Sequence, residues 1–451
     1  MPKLSFYGGA QEVTGACYLL ESEKNRILMD CGLFQCPRFC EKRNIEDFPF
    51  DPASIDVLLV SHGHIDHIGR IPKLVRKGFR GHIYSTPPTK AFADVMLRDS
   101  LGVLEKEARS GEDTLLYEEK DIDAALALWE GKPYGEEFEV GDLRIVFRNA
   151  GHILGSAITV VEHKDGERIA FTGDLGNSPA PLLGPFDNVD GVTHMIIESA
   201  YGNRVHEDST ERKQKLERVV ENTCVQGGTL MIPAFSLERT QQLLYEFNEL
   251  AENQRIPRVP IFLDSPLAIK ATRIYREFNT YFSAEAQSLI KEGDDLFRFP
   301  GLTLTERTEE SKSINEVQGP KIIIAGAGMM QGGRILHHAK RYLPNTNSTL
   351  LFIGYQAAGS LGRRLIDKAS EVQIHGETVP VRAAIKAIGG YSAHADSDGL
   401  FNYVAHTADT LQRVFVVQGE PAASLFLVQR IKDNLGIEAV APRYGESFEF
   451  D

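Results

Sequence analysis

No stretch of this sequence reaches the roughly 18 consecutive apolar residues that a membrane helix needs. Its N-terminus, MPKLSFYGGAQEVTG, lacks a basic-then-apolar leader pattern and reads as a strand and a turn, so a cytoplasmic protein without membrane contact is expected. No CxxC pair occurs among the five cysteines, Cys17, Cys31, Cys36, Cys40 and Cys224. That argues against a thiolate metal site, and the odd count suits free thiols in a reducing compartment. Positive charge is in deficit, 49 Lys and Arg against 63 Asp and Glu for a net charge of −14. Such a chain is a poor general binder of nucleic acid, and any nucleic-acid site has to be a local basic groove. One basic stretch stands out, GRIPKLVRKGFR (69–80), with Arg70, Lys73, Arg76, Lys77 and Arg80 and no acid. By itself it reads as a solvated helix face. Repeats and low-complexity segments are absent. The apolar share of 42% and charged share of 25% are those of a globular protein.

The first half alternates short β-like runs with glycine turns: LSFYGG, ACYLLES, RILMDCG, VLLVSHGH, HIYSTP, LRIVFRN, AITVVEHKDGERIAFTGD and HMIIESAYG. Helices are expected near 66–78, 87–108 and 121–131. This is a strand-rich sandwich with helices outside. From about residue 208 strands and amphipathic helices alternate regularly, as in a parallel α/β domain. Short strands then return in AAIKAIGGYS, RVFVVQGE and EAVAPRYGESFEF. The expected organisation is therefore a first domain over 1–207, an inserted α/β domain over 208–388, and the first domain resumed over 389–451.

The strongest chemical signal is Ser61-His62-Gly63-His64-Ile65-Asp66-His67, directly after the strand-like IDVLLV. Three imidazoles and a carboxylate this close are costly to bury without a metal or hydrogen bonds. His62 and His64 are spaced to point the same way, and Asp66 and His67 face a neighbouring point. That pattern suits two adjacent metals better than one closed structural site. His152, in the glycine-flanked loop NAGHILGSA, and Asp174, at the strand end IAFTGD, fit the same plan, and a carboxylate there could bridge two ions. Asp30, at the end of ILMD, is expected to support the His-rich loop. The nitrogen and oxygen donors favour Zn²⁺, with Mn²⁺ also compatible. Two such ions activate a water and clamp the attacking and leaving oxygens, which is hydrolytic chemistry.

HGHIDH followed by His152 and Asp174 resembles the metallo-β-lactamase superfamily. IIESAYGNR (196–204), GGYSAHAD (389–396) and VVQGEP (416–421) resemble the three further motifs of its β-CASP branch, with Glu198, His394 and Gln418 in the motif positions. PAFSLERTQQLL, LDSPLA and GAGMMQGGRILHH resemble parts of the inserted domain. The resemblance covers essentially the whole chain and is closest to compact bacterial and archaeal ribonucleases similar to the cleavage-and-polyadenylation endonuclease. It implies an α/β fold, a metallo-β-lactamase αββα sandwich with an inserted parallel α/β β-CASP domain. It also implies a metal-dependent ribonuclease acting on single-stranded RNA in a cleft between the two domains. By position, His62, His64 and His152 would bind one Zn²⁺, Asp66 and His67 a second, and Asp174 would bridge them. Glu198 and His394 would form a pair beside the leaving oxygen.

The resemblance breaks at Gln418, where the family usually carries a metal-binding histidine. An amide oxygen is a weaker Zn²⁺ ligand than an imidazole. Three outcomes stay open: a weakly held second ion, substitution by Glu420, or RNA binding with little hydrolysis. The expectation is a reduced-affinity second site in an active enzyme. Arg334, His337 and His338 in GAGMMQGGRILHHAKRY, and Arg363 and Arg364 in GYQAAGSLGRRL, are candidates for phosphate contacts beside glycine-rich turns. The strands begin at residue 3 and the chain ends soon after the resumed sandwich, so the compact form is expected, and a homodimer is compatible with it. The competing readings are a hydrolase of small esters or thioesters, against which the large basic insertion argues, and a non-catalytic RNA-binding or scaffold protein, which Gln418 alone supports.

Overall fold

Alternation of inward and outward side chains along short strands builds the first unit. The computed structural model describes residues 2–35, 41–110, 115–177, 180–206, 211–357 and 359–450. They fall into two units, Met1–Val205 with His394–Asp451, and His206–Ala393. The second junction therefore lies beyond the expected 388, so that GGYSA belongs with the insertion and His394 with the first unit. The first junction lies beside residues 207–210, outside the described residues, as are Cys36 and Cys40. Cys17, Cys31 and Cys224 are free thiols. Among the described residues no helix is long and apolar enough to cross a membrane.

The first unit contains two seven-stranded mixed sheets. In Arg26–Met29, Ile27 and Met29 face the second sheet, while Leu28 faces the helices outside. In His194–Glu198, Ile196 faces the first sheet, while Met195 and Ile197 face Leu400 and Val404 of Ser397–His406 and Leu427 and Ile431 of Pro421–Leu435. The two-residue period thus gives each strand an apolar partner on both sides and layers the unit helix, sheet, sheet, helix.

In the second unit, six strands run parallel in the order Leu302–Leu304, Ile261–Leu263, Lys321–Ala325, Thr229–Pro233, Thr349–Phe352 and Ala384–Ala387. Lys321–Ala325 and Thr229–Pro233 are buried at every position, as a strand covered on both faces must be.

Several local expectations are corrected. The helix expected over 66–78 is two short helices, Ile65–Ile68 and Ile71–Arg76. The carbonyls of Ile65, Asp66 and His67 accept from the backbone of Leu33, Ala16 and Cys31, so the first helix cannot run on. Gly32 permits this approach, since a Cβ there would stand 1.5 Å from the Asp66 carbonyl oxygen. The helix expected over 121–131 is Glu119–Ala127, and Trp129–Gly131 is a strand. Glu137–Val140 is a further strand, and none of its residues is buried. The basic stretch is not a solvated face throughout. Arg70 and Lys73 are buried; Arg70 donates to the carbonyls of Gly32 and Gly15, and Lys73 to those of Asn44 and Glu46. Lys77 pairs with Asp47 at 2.6 Å.

The second unit is pinned by Asp264, fully buried at the end of Ile261–Leu263. Its carboxylate accepts from Arg334 (2.7 Å), His338 (2.6 Å), Thr305 (2.7 Å) and Ser311 (2.7 Å). Burial alone would raise this carboxyl, but His338, Ser311, Thr305 and Arg334 outweigh it and hold the pKa down to about 2. Replacing Asp264 by Ala leaves buried His338 and half-buried Arg334 without their shared carboxylate, and we expect a loss of about 3–5 kcal/mol in urea unfolding at pH 7. A depressed carboxyl contributes above its ordinary value of 3.8 and loses that contribution as pH falls through about 2. The difference between the native chain and Asp264→Asn should accordingly narrow below pH 4, read from unfolding midpoints.

Candidate metal centre

Apart from His394, the residues singled out in the first unit lie at or just after the C-terminal ends of strands. Asp30 follows Arg26–Met29, the His-rich loop follows Val57–Leu59, and His152 follows Leu143–Asn149. Asp174 follows Arg168–Phe171, Glu198 closes His194–Glu198, and Gln418 follows Arg413–Val417. The last three strands are parallel neighbours, with Ile196 opposite Phe171 and Glu198 opposite Val417.

Asp30 organises the His-rich loop. It is fully buried with φ +56° and accepts from the backbone of Ser61 (2.8 Å), the Ser61 hydroxyl (2.7 Å) and Nδ1 of His67 (2.7 Å). With its proton given to Asp30, the Ser61 hydroxyl can accept from Nδ1 of His62 at 3.0 Å. Both rings then turn Nε2 away from this support. Ser61 stands within the motif, but a serine has no metal-binding signature, so its supporting role shows only in its hydrogen bonds. His152 is set by Ser156, whose hydroxyl oxygen accepts from the backbone of His152 and Ile153 at 3.0 and 3.2 Å.

Three imidazole nitrogens converge. Nδ1 of His64 lies 3.1 Å from Nε2 of His62 and 3.2 Å from Nε2 of His152. Oδ2 of Asp174 lies 3.6 Å from each of those two Nε2 atoms. Donors about 2.0–2.1 Å from one tetrahedral ion sit about 3.3 Å from each other, so this set fits a metal. His62, His64, His152 and Asp174 are one of two groups among the described residues able to hold an ion, with donor atoms within 4.8 Å of one another. The other is Asp174, Glu198 and His394. Nδ1 of His394 reaches Glu198 at 3.1 and 3.2 Å and Asp174 at 3.9 Å. Glu198 is buried and also accepts from the backbone of Leu175 (2.7 Å) and Ala200 (3.2 Å).

Asp66 and His67 are placed differently. Nε2 of His67 lies 3.4 Å from Oδ1 of Asp174 and 3.1 Å from Nε2 of Gln418. Asp66 is half-buried and does not join His67 and Asp174 in a cluster of that kind.

The electrostatics suit a cation. Burial and neighbouring His67 push His62 well below the ordinary imidazole value, so it is neutral and free to ligate near pH 7. Burial opposes ionisation of Asp174, but His67 and His62 outweigh it and hold the carboxyl well down. Burial opposes charge on His67 too, and there Asp174 and Asp30 outweigh it and move the ring upward. Burial raises the carboxyls of Asp66 and Glu198, offset in part by His67 for the first and by His394 for the second.

Three family models match along the chain: the metallo-beta-lactamase superfamily over residues 10–225, the Beta-Casp domain over 240–365, and the Zn-dependent metallo-hydrolase RNA specificity domain over 378–442. The chain is 38% identical over 445 residues to "Ribonuclease TTHA0252" of Thermus thermophilus, covering 98% of both. The chain belongs to the β-CASP branch of the metallo-β-lactamase superfamily. A second β-CASP relative is "Transcription termination factor FttA" of Methanocaldococcus jannaschii, 31% identical, matched over 95% of this chain and 69% of that one. A crystal structure of a protein of unknown function from Enterococcus faecalis shares the fold, with a TM-score of 0.57 at 13% identity over 99% of each chain. This β-CASP protein is a metallo-hydrolase, and its His/Asp cluster belongs to a metal cofactor.

The basic residues of the second unit divide. Arg334 donates to Asp264, Thr305 and Glu306, and His338 is buried against Asp264, so both are engaged inside the unit rather than offered to phosphates. Exposed His337 stacks on His375 at 4.8 Å. Arg363 pairs with Asp367 one helical turn on, and Arg364 is exposed.

Asp30→Asn should weaken metal binding about 10–100-fold in a chelator competition, because it loosens the support of the donor loop without removing a donor. Since the three converging imidazoles bind only when neutral, metal affinity in the same assay should fall as pH is lowered from 8 to 5.

Proposed function

We propose that this protein is a metal-dependent ribonuclease that hydrolyses phosphodiester bonds of single-stranded RNA at the His62, His64, His152 and Asp174 cluster, with Zn²⁺ as the ion and Mn²⁺ as a substitute. The observation that carries this reading is the contact between Glu198 and His394 beside Asp174, a proton-handling pair next to a metal cluster. The names of the matched RNA specificity domain and of the Thermus relative support RNA as substrate.

The metal, when bound, supplies Lewis acidity to a water and to a phosphoryl oxygen. Asp174 presents one carboxylate oxygen to His62 and His152 and the other to His67, tying the donor loop to the neighbouring strand end. Asp66, within electrostatic reach of His67, Asp174 and His394, takes the proton of the attacking water. The phosphorus gains the water oxygen and loses the ribose oxygen, which receives its proton from His394. Glu198 holds His394 in place through Nδ1 and stabilises the proton on that ring. Exposed His337 and Arg364, with half-buried Arg363, are the basic candidates left to meet RNA phosphates, and contacts of that kind carry little sequence preference.

The test is incubation with a single-stranded RNA labelled differently at its two ends, with Zn²⁺ or Mn²⁺ and with a chelator control. We expect chelator-sensitive cleavage. Glu198→Gln and His394→Ala should each lower kcat by about 10²–10⁴-fold, and together by little more than either alone, since they act as a pair. Tight RNA binding without turnover under any metal would replace this reading with an RNA-binding protein that does not hydrolyse. Turnover of a chromogenic ester without RNA cleavage would replace it with a small-ester hydrolase.

A further inference from the structure

We propose that this chain holds a single metal ion, and that the carboxamide of Gln418 stands beside His67 where a second ion would otherwise bind. The inference rests on the metal cluster of the proposed function and concerns the neighbouring pair, His67 and Asp66.

Gln418 is built in. It is 2% exposed, and its backbone N–H donates to the carbonyl of Gly9 at 2.6 Å. Its φ of +47° turns the chain out of the strand direction directly after Val417. Gly9 makes room for it: a Cβ there would stand 3.1 Å from Cγ of Gln418 and 2.3 Å from the Tyr18 hydroxyl. The amide nitrogen lies 3.1 Å from the Val13 carbonyl and 3.1 Å from Nε2 of His67. The Val13 carbonyl can only accept, so it fixes the amide with its nitrogen on that side, and the same nitrogen lies against Nε2 of His67.

Nδ1 of His67 is engaged by Asp30, so Nε2 is the ring atom left for an ion, and the amide nitrogen of Gln418 stands 3.1 Å from it. A second ion would have to displace that nitrogen and break its bond to Val13, and would gain at most an amide oxygen, a poorer Zn²⁺ donor than imidazole. The remaining donors are few. Oδ1 of Asp174 is buried without a hydrogen-bond partner, and Asp66 completes no three-donor cluster with it and His67 among the described residues. The first cluster has four donors of its own, Asp174 among them, and uses neither His67 nor Asp66.

Metal content decides this without reference to catalysis. The full chain is stripped, loaded with excess Zn²⁺ and desalted; bound zinc per chain is then measured by mass spectrometry, with a calorimetric titration alongside. We expect one zinc per chain and one binding step. Gln418→His offers an acceptor nitrogen in place of a donor and should raise the count to two, with a second step appearing. Two zinc ions on the native chain would overturn the inference and leave the ribonuclease reading standing. No zinc would overturn both. One zinc on folded Gln418→His would overturn the assignment to Gln418. Should that variant not fold, the native count remains decisive.

Discussion

Much of the site depends on one buried carboxylate. Asp30 has no solvent, and its three hydrogen bonds all go to the loop that carries the donors. A carboxylate so enclosed is tolerable only while every partner stays in place. Its demands therefore fix the path of Ser61, and through the serine hydroxyl they fix the face that His62 turns toward the cluster. They also hold Nδ1 of His67 against Asp30, leaving Nε2 to face Asp174 and Gln418. The left-handed backbone at Asp30 is a local cost that this network sustains.

Asp174 is the second organising group, and it works by division. One oxygen faces His62 and His152 and the other faces His67. His394 approaches the same oxygen that the imidazoles share, and it comes with Glu198 behind it. The imidazole cluster and the Glu198–His394 pair thus meet at one carboxylate. The close packing that holds them is visible at Gly176, which pairs with His394 in an isolated bridge and lies against Gly151. A side chain at 176 would collide with the Gly151 carbonyl, 2.0 Å from where its Cβ would stand.

What could be read from the sequence was what local spacing determines. HGHIDH announces donors within a few residues, and His152 and Asp174 follow strands whose ends the alternation marks. The layered first unit and the parallel second unit were legible for the same reason. What could not be read depends on partners distant in the chain. Arg334 and His338 look like a basic surface until Asp264, some seventy residues earlier, is seen to hold them. Arg70 and Lys73 look solvated until the carbonyls of Gly32, Asn44 and Glu46 are found against them. The helix expected through residue 78 stops early because its carbonyls are taken by residues 16, 31 and 33. Gln418 was recognisable as a departure, but the direction of its amide is set by Val13, which no local pattern reveals.

The pairing of the first strand with the last has a consequence for synthesis. Lys3–Phe6 is hydrogen-bonded to Ser447–Glu449, with Ser5 opposite Ser447. His394 and Gln418 also come after the whole of the inserted unit, whose own residues are contiguous in the chain. A ribosome delivering residues in order releases the insertion before the outer unit can complete a sheet edge or the Glu198–His394 contact. Contacts between such distant segments form late, because closing a long loop must precede them. The imidazoles of residues 62, 64 and 152 therefore emerge well ahead of the strands that enclose them. The contact between Glu198 and His394 is thus a late step of assembly, open until the whole insertion has been made.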